Sequence, residues 1–190
     1  MISLALALLL LTAAPPSQAP SAEKPIPEER VLEKGSSFAS LSASWTVSGG
    51  EHLSQGHAGF GYFLVKRFSL ELDLVGGWVD YGRKRGSTER TWLFGPDAFA
   101  RYHALRVGIL SLYGDLGAGL RLFGSDFPVR GTRFNFTLQA GLGLQVMVVG
   151  RFGIAAGARF FHISNSSLAG TDRNPGHNAT QFYGGLVCAF

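Results

Sequence analysis

From Ser36 to the carboxy terminus, apolar and polar residues alternate with a period of two in eight successive segments. Side chains leave a strand on alternate sides, so this pattern predicts strands with two unlike faces. The segments run Ser36 to Ser48, Gly56 to Lys66, Phe68 to Asp80, Trp92 to His103, Gly108 to Leu122, Thr132 to Val148, Arg151 to Ser164 and Asn178 to Phe190. In the fifth, Leu112, Leu116, Ala118, Leu120 and Leu122 share one face, while Tyr113, Asp115, Gly117, Gly119 and Arg121 share the other. The sixth repeats the division, with Phe134, Phe136, Leu138, Ala140, Leu142, Leu144 and Val146 opposed to Arg133, Asn135, Thr137, Gln139, Gly141, Gly143 and Gln145. Glu71, Asp73, Asp97, Arg101 and Arg159 fall on polar faces as well.

A soluble carrier barrel would turn its apolar face inward and its charges outward. Here the polar face is rich in glycine, which suits a narrow lumen, and it carries charges of both signs that can neutralise one another. The apolar face forms a continuous band that hydrocarbon can cover. In hydrocarbon every backbone N–H and C=O needs a partner within the sheet, so the sheet must close, and bacterial barrels close on an even strand count. The expected architecture is therefore all-β: an eight-stranded antiparallel transmembrane β-barrel, closed, with a lumen filled by side chains. Long connections fall at Gly49 to Gln55, Tyr81 to Thr91, Gly124 to Gly131 and Ser166 to His177, and short ones near Arg67, Leu105 to Val107 and Val149 to Gly150. Outer-membrane barrels have short periplasmic turns and long outer loops, so the long set is external and both termini are periplasmic.

Composition narrows the remaining choices. With 46% hydrophobic and 16% charged residues, the chain is too apolar for disorder, and 26 glycines with 15 phenylalanines favour β structure over a helical bundle. Residues 1–22 read as a signal peptide: Ile2 to Leu11 is continuously apolar, Thr12 to Ala22 is small and proline-rich, and removal is expected between Ala14 and Ala22. Residues 23–35 form a periplasmic segment in which Glu28 to Lys34 can make one or two helical turns, and 36–190 form the barrel. The net charge of +4 does not signal nucleic acid, because the basic residues make no stripe interleaved with aromatics. The single Cys188 forms no internal disulfide and no Cys/His cluster has zinc spacing, so neither metal nor cofactor is expected. The terminal Phe190 resembles the last aromatic of outer-membrane proteins, which their assembly machinery reads. A homodimer is compatible with such a barrel.

The candidate chemistry lies in the last connection. Phe152, Ile154, Ala156, Phe160, His162 and Ser164 share parity, so His162 and Ser164 point outward at the external rim. Their Cα atoms stand roughly 6.6 Å apart on one face, which lets leaning side chains bring hydroxyl and imidazole into reach. Asn178 shares parity with Phe182, Leu186, Cys188 and Phe190 and is expected beside His162. Elsewhere, Arg83, Lys84, Arg85 and Arg90 cluster in the second long connection. They are candidates for holding phosphates, with the first three as the binding set.

The run His162-x-Ser164-Asn165, followed by Asn174-Pro175-Gly176-x-Asn178, resembles the carboxy-terminal signature of the lipid A 3-O-deacylase family, outer-membrane acyloxyacyl hydrolases. That resemblance implies Ser164 as nucleophile, His162 as general base that then protonates the leaving group, and Asn165 as part of the oxyanion hole. It also implies lipid A of the lipopolysaccharide outer leaflet as the partner substrate. The family's third member is glutamate, and Asn178 takes its place here. An asparagine can hold the imidazole tautomer but cannot offset the imidazolium charge. Asp172 and His177 are the other residues nearby that could orient His162. The alternative function is a non-enzymatic small outer-membrane barrel with a structural or adhesive role.

Overall fold

The structure is a computed structural model that describes residues 31–48, 50–83 and 87–190. The expected signal peptide, residues 1–22, lies outside the described residues. Eight strands follow: β1 Ser37–Ser48, β2 Glu51–Val65, β3 Phe68–Arg83, β4 Ser87–Val107, β5 Leu110–Phe127, β6 Thr132–Val149, β7 Phe152–Ser164 and β8 His177–Ala189. Each pairs antiparallel with the next, and β1 pairs with β8, Phe38 opposite Ala189, so the ring has no free edge.

Parity within each strand decides what faces the lumen. Leu138, Leu142 and Leu144 are 58%, 66% and 49% exposed on the outer wall, whereas Asn135, Thr137 and Gln139 on the same strand are buried. Trp78 and Trp92 are opposite each other in register near the external end, and both face outward, as does Trp45 of β1. These amphipathic rings mark the level of the outer interface.

The lumen has three layers. In the middle, Asp97 receives both terminal nitrogens of Arg121, at 2.8 and 2.6 Å, together with Thr137 Oγ1 and Gln139 Nε2. Asp115 receives Arg159 twice and Arg101 once, and Arg101 also reaches Glu71 at 3.0 Å. The guanidinium of Arg159 stacks between the rings of Phe99 and Tyr183, 4.1 and 4.0 Å from their centroids. Charges so placed are tolerable in a buried interior only because each side chain finds a partner. Glycine makes the room: a Cβ on Gly119 would collide with the Asp97 carboxylate, and one on Gly143 with the Tyr113 and Tyr183 hydroxyls.

Apolar layers cover this polar middle at each end. Leu53, Val75, Val79, Tyr81, Leu93, Phe123, Phe127, Phe161 and Ile163 cluster at the external mouth. At the opposite mouth, the one expected to be periplasmic, Phe38, Phe63, Met147, Val187 and Ala189 meet Val31 and Leu32, which fold under the barrel ahead of β1. The backbone N–H of Arg67 donates to the carbonyl of Leu32, and Lys66 pairs with Glu33 at 2.7 Å. The segment preceding β1 thus ends as a turn that closes the mouth.

The external connections are shorter than expected. Residues 51–55, 87–91 and 124–127 continue their strands above the wall instead of looping, and polar side chains at Asp80, Glu89, Arg90 and Ser125 pair across strands there. Arg90 Nε and Nη2 grip Asp80 at 2.7 and 3.0 Å, and the Tyr81 hydroxyl donates to Glu89. Among the described residues, 165–176 form the one long connection, with a short 3-10 helix at Thr171–Arg173.

Candidate active site

β7 ends at Ser164 and β8 begins at His177, so the long connection springs from the rim where the candidate residues stand. The register sets His162 directly opposite Asn178. Their side chains meet on the outer wall, with His162 Nδ1 2.6 Å from Asn178 Oδ1. An amide oxygen only accepts, so Nδ1 carries the proton and Nε2 of the neutral ring keeps its lone pair. A base is therefore oriented at this rim. Gly176, at φ 62, passes beside the imidazole, with Cε1 3.6 Å from where its Cβ would be. That left-handed conformation is one glycine adopts freely.

Ser164 is half-buried and lies opposite Phe136 of β6. It shares the outer face with His162. Among the described residues, its hydroxyl makes no hydrogen bond to the imidazole, so the structure joins the base to Asn178 and leaves the serine alongside. Nucleophile and base often stand apart in the absence of substrate. Leu138 lies opposite His162 in register, and further down the wall Phe160 and Phe182 add apolar surface, the three between 54% and 58% exposed.

Asn165, the residue expected at the oxyanion hole, is engaged within the last loop. Its side chain is buried, and every polar group on it that the structure describes is committed. The backbone N–H donates to Asn174 Oδ1 at 3.0 Å, and Nδ2 donates to Thr132 Oγ1 at 3.0 Å and to the Arg173 carbonyl at 2.7 Å. Its Oδ1 accepts from the Ser167 N–H. As placed, Asn165 ties the last loop to itself and to the start of β6, with no donor left over.

His177 has opposite parity to Asn178 and is turned into the lumen. There it pairs with Glu51 at 2.7 Å and packs against the Phe127 ring, so it cannot orient His162. Asp172 sits exposed on the 3-10 helix, and among the described residues no hydrogen bond joins it to the imidazole.

Arg90 of the expected basic cluster is already held by Asp80, and the same bond keeps the Asp80 carboxyl below its ordinary range. Lys84 and Arg85, with the side chain of Arg83, lie outside the described residues. The strands that flank them, β3 and β4, are on the far side of the ring from β7 and β8. Other cations stand on the near side. Arg130 and Arg133 are exposed at the β5–β6 turn and the start of β6, and Arg173 bridges to Asp126 at 3.1 Å and to the Gly131 carbonyl at 3.0 Å. Their nearness follows from the pairing of β6 with β7 and was available once strand order was assumed.

The family model described as lipid A 3-O-deacylase (PagL) matches residues 33–186. The chain belongs to that family. It is thereby a protein of the bacterial outer membrane, as its fold neighbours also are. The crystal structure of the outer membrane enzyme PagL superposes with a TM-score of 0.52 at 17% identity, covering 77% of this chain and 97% of that one. OprG from Pseudomonas aeruginosa gives 0.54 at 14% identity, covering 85% and 98%. Neisserial surface protein A gives 0.55 at 14% identity, covering 82% and 96%. Identities this low establish a shared barrel and nothing about chemistry. No curated relative matches the chain.

Proposed function

We propose that this PagL family member is an outer-membrane serine esterase that removes the 3-O-linked acyl chain from lipid A. The observation that carries the reading is the His162–Asn178 pair on the lipid-facing wall at the external rim, with Ser164 on the same face two residues along. In hydrolysis the Ser164 Oγ attacks the ester carbonyl while His162 Nε2 takes its proton. The imidazolium then returns that proton to the sugar oxygen as it leaves, and water, activated by the same base, releases the fatty acid. The apolar surface of Leu138, Phe160 and Phe182 suits acyl chains lying along the wall below the reacting ester.

Two residues set the expected rate. Asn178 holds the productive tautomer but supplies no negative charge for the imidazolium, and loss of that charge costs a serine triad up to about 10⁴ in rate. Asn165 can serve the oxyanion only by trading one of its present hydrogen bonds for one to substrate. The same two features favour the second reading, a barrel of the family fold without turnover.

Mass spectrometry of lipid A from cells expressing the protein tests the choice. Loss of one 3-O-linked acyl chain, abolished by Ser164→Ala, supports the esterase. Unchanged lipid A under every expression condition, with the barrel correctly assembled, supports the non-enzymatic barrel.

A further inference from the structure

We propose that Arg130 and Arg133 bind the phosphate of the anionic glycolipid that docks at this rim, in place of the basic connection between β3 and β4. The inference rests on the esterase reading for the location of the substrate, but it concerns recognition rather than turnover.

The argument begins with the strand order. β6 pairs with β7, so the start of β6 stands next to the end of β7, where Ser164 lies opposite Phe136. The two are joined directly: Thr132 Oγ1 accepts a hydrogen bond from the side chain of Asn165, the residue after Ser164. Arg133 is the next residue along β6; it has the inward parity of Asn135 but lies beyond the last residue that β7 pairs, and there it is exposed. Its strand extends past the end of β7, so Arg133 stands above the level of the ester-cleaving groups, where a headgroup would project from the bilayer. By contrast, β3 and β4 close the opposite side of the ring.

Charge singles out the same two residues. Arg90 is neutralised by Asp80 and Arg173 by Asp126, so both are already spent. Among the described residues, no carboxylate pairs with Arg130 or Arg133. Arg130 is also held at φ 69, a left-handed position where glycine or asparagine would sit more easily, in the turn that Arg173 pins through the Gly131 carbonyl. Two guanidiniums without a carboxylate partner, one on this turn and one at the start of β6, present planar forks suited to a phosphate monoester.

The test measures binding, separately from catalysis. The Ser164→Ala protein is purified in a neutral maltoside detergent, so that the added glycolipid is the only source of phosphate. Its Kd is determined for bisphosphorylated lipid A and for the dephosphorylated form. Adding Arg130→Gln and Arg133→Gln together is expected to weaken binding of the phosphorylated lipid about tenfold or more, as expected for lost charge-assisted hydrogen bonds, and to leave the dephosphorylated lipid unaffected. Lysine at both positions should restore part of the loss, and Arg83→Gln, Lys84→Gln and Arg85→Gln together should change neither Kd. Equal weakening of both lipids, no weakening, or a loss carried by the β3–β4 residues overturns the proposal. Heat-modifiable gel migration confirms that each variant is folded. Phosphate-selective binding with no deacylation by the unmodified protein would sink the esterase reading alone, and deacylation without phosphate selectivity would sink this one alone.

Discussion

A single amide stands at the centre of the chemistry. Asn178 accepts the Nδ1 proton of His162 and so fixes which nitrogen can act as base, but it leaves the protonated ring without a counter-charge. Asn178→Glu is therefore expected to raise the deacylation rate, by up to a few powers of ten if charge is all that is missing. A fall in rate would show that the amide is adapted to this site. Ser164→Ala and His162→Ala should each remove nearly all deacylation without unfolding the barrel, and the double variant should lose no more than either single one, because the two act as a unit. His162 and Ser164 were legible in the sequence because parity along β7 puts both outside. The inward direction of His177 was equally legible, since it precedes Asn178 by one residue. The commitment of Asn165 was not: whether an amide is free depends on Thr132 and Arg173, and no local pattern reports a partner 33 residues away.

At the scale of strands, alternation told inside from outside because its two-residue period is a local property. It failed above the wall, where β3 and β4 continue through polar residues paired across the hairpin rather than sorted by face. Asp80 and Arg90 illustrate this: they extend the sheet by an ion pair that carries no hydrophobic signal. Because Arg90 depresses the Asp80 carboxyl, the pair's small contribution is complete above the ordinary carboxylate value and disappears as pH falls through the lower folded one. NMR titration of Asp80 should accordingly show a midpoint that rises in Arg90→Gln. Inside, Asp97 holds Arg121 with no solvent to replace it. Asp97→Ala is expected to destabilise the barrel by about 3–5 kcal/mol, measured by urea unfolding, because an unpaired guanidinium is left buried. Replacing both partners by apolar residues should cost less than that single change.

Seen whole, the described residues of the barrel are packed in layers. Apolar plugs close both mouths over a cross-linked charged middle, and Val31 and Leu32 complete the lower one. Planar bilayers containing the protein should show no ion conductance. Leu32→Asp, which puts a charge among Phe38, Phe63 and Met147, should lower stability without opening a channel, since the middle layer remains packed.

The outward placement of His162 has a kinetic consequence. If the reacting bond is reached from the wall, the substrate never enters water or the barrel, and enzyme and lipid meet by diffusing within a sheet. The variable that governs their encounter is then molecules per unit area. In mixed micelles at fixed bulk lipid A, adding neutral detergent should slow deacylation in proportion to the falling mole fraction of lipid A, whereas adding more micelles of the same composition should leave the rate per enzyme unchanged once every enzyme is inserted. A rate that followed bulk concentration instead would mean that lipid A arrives from solution.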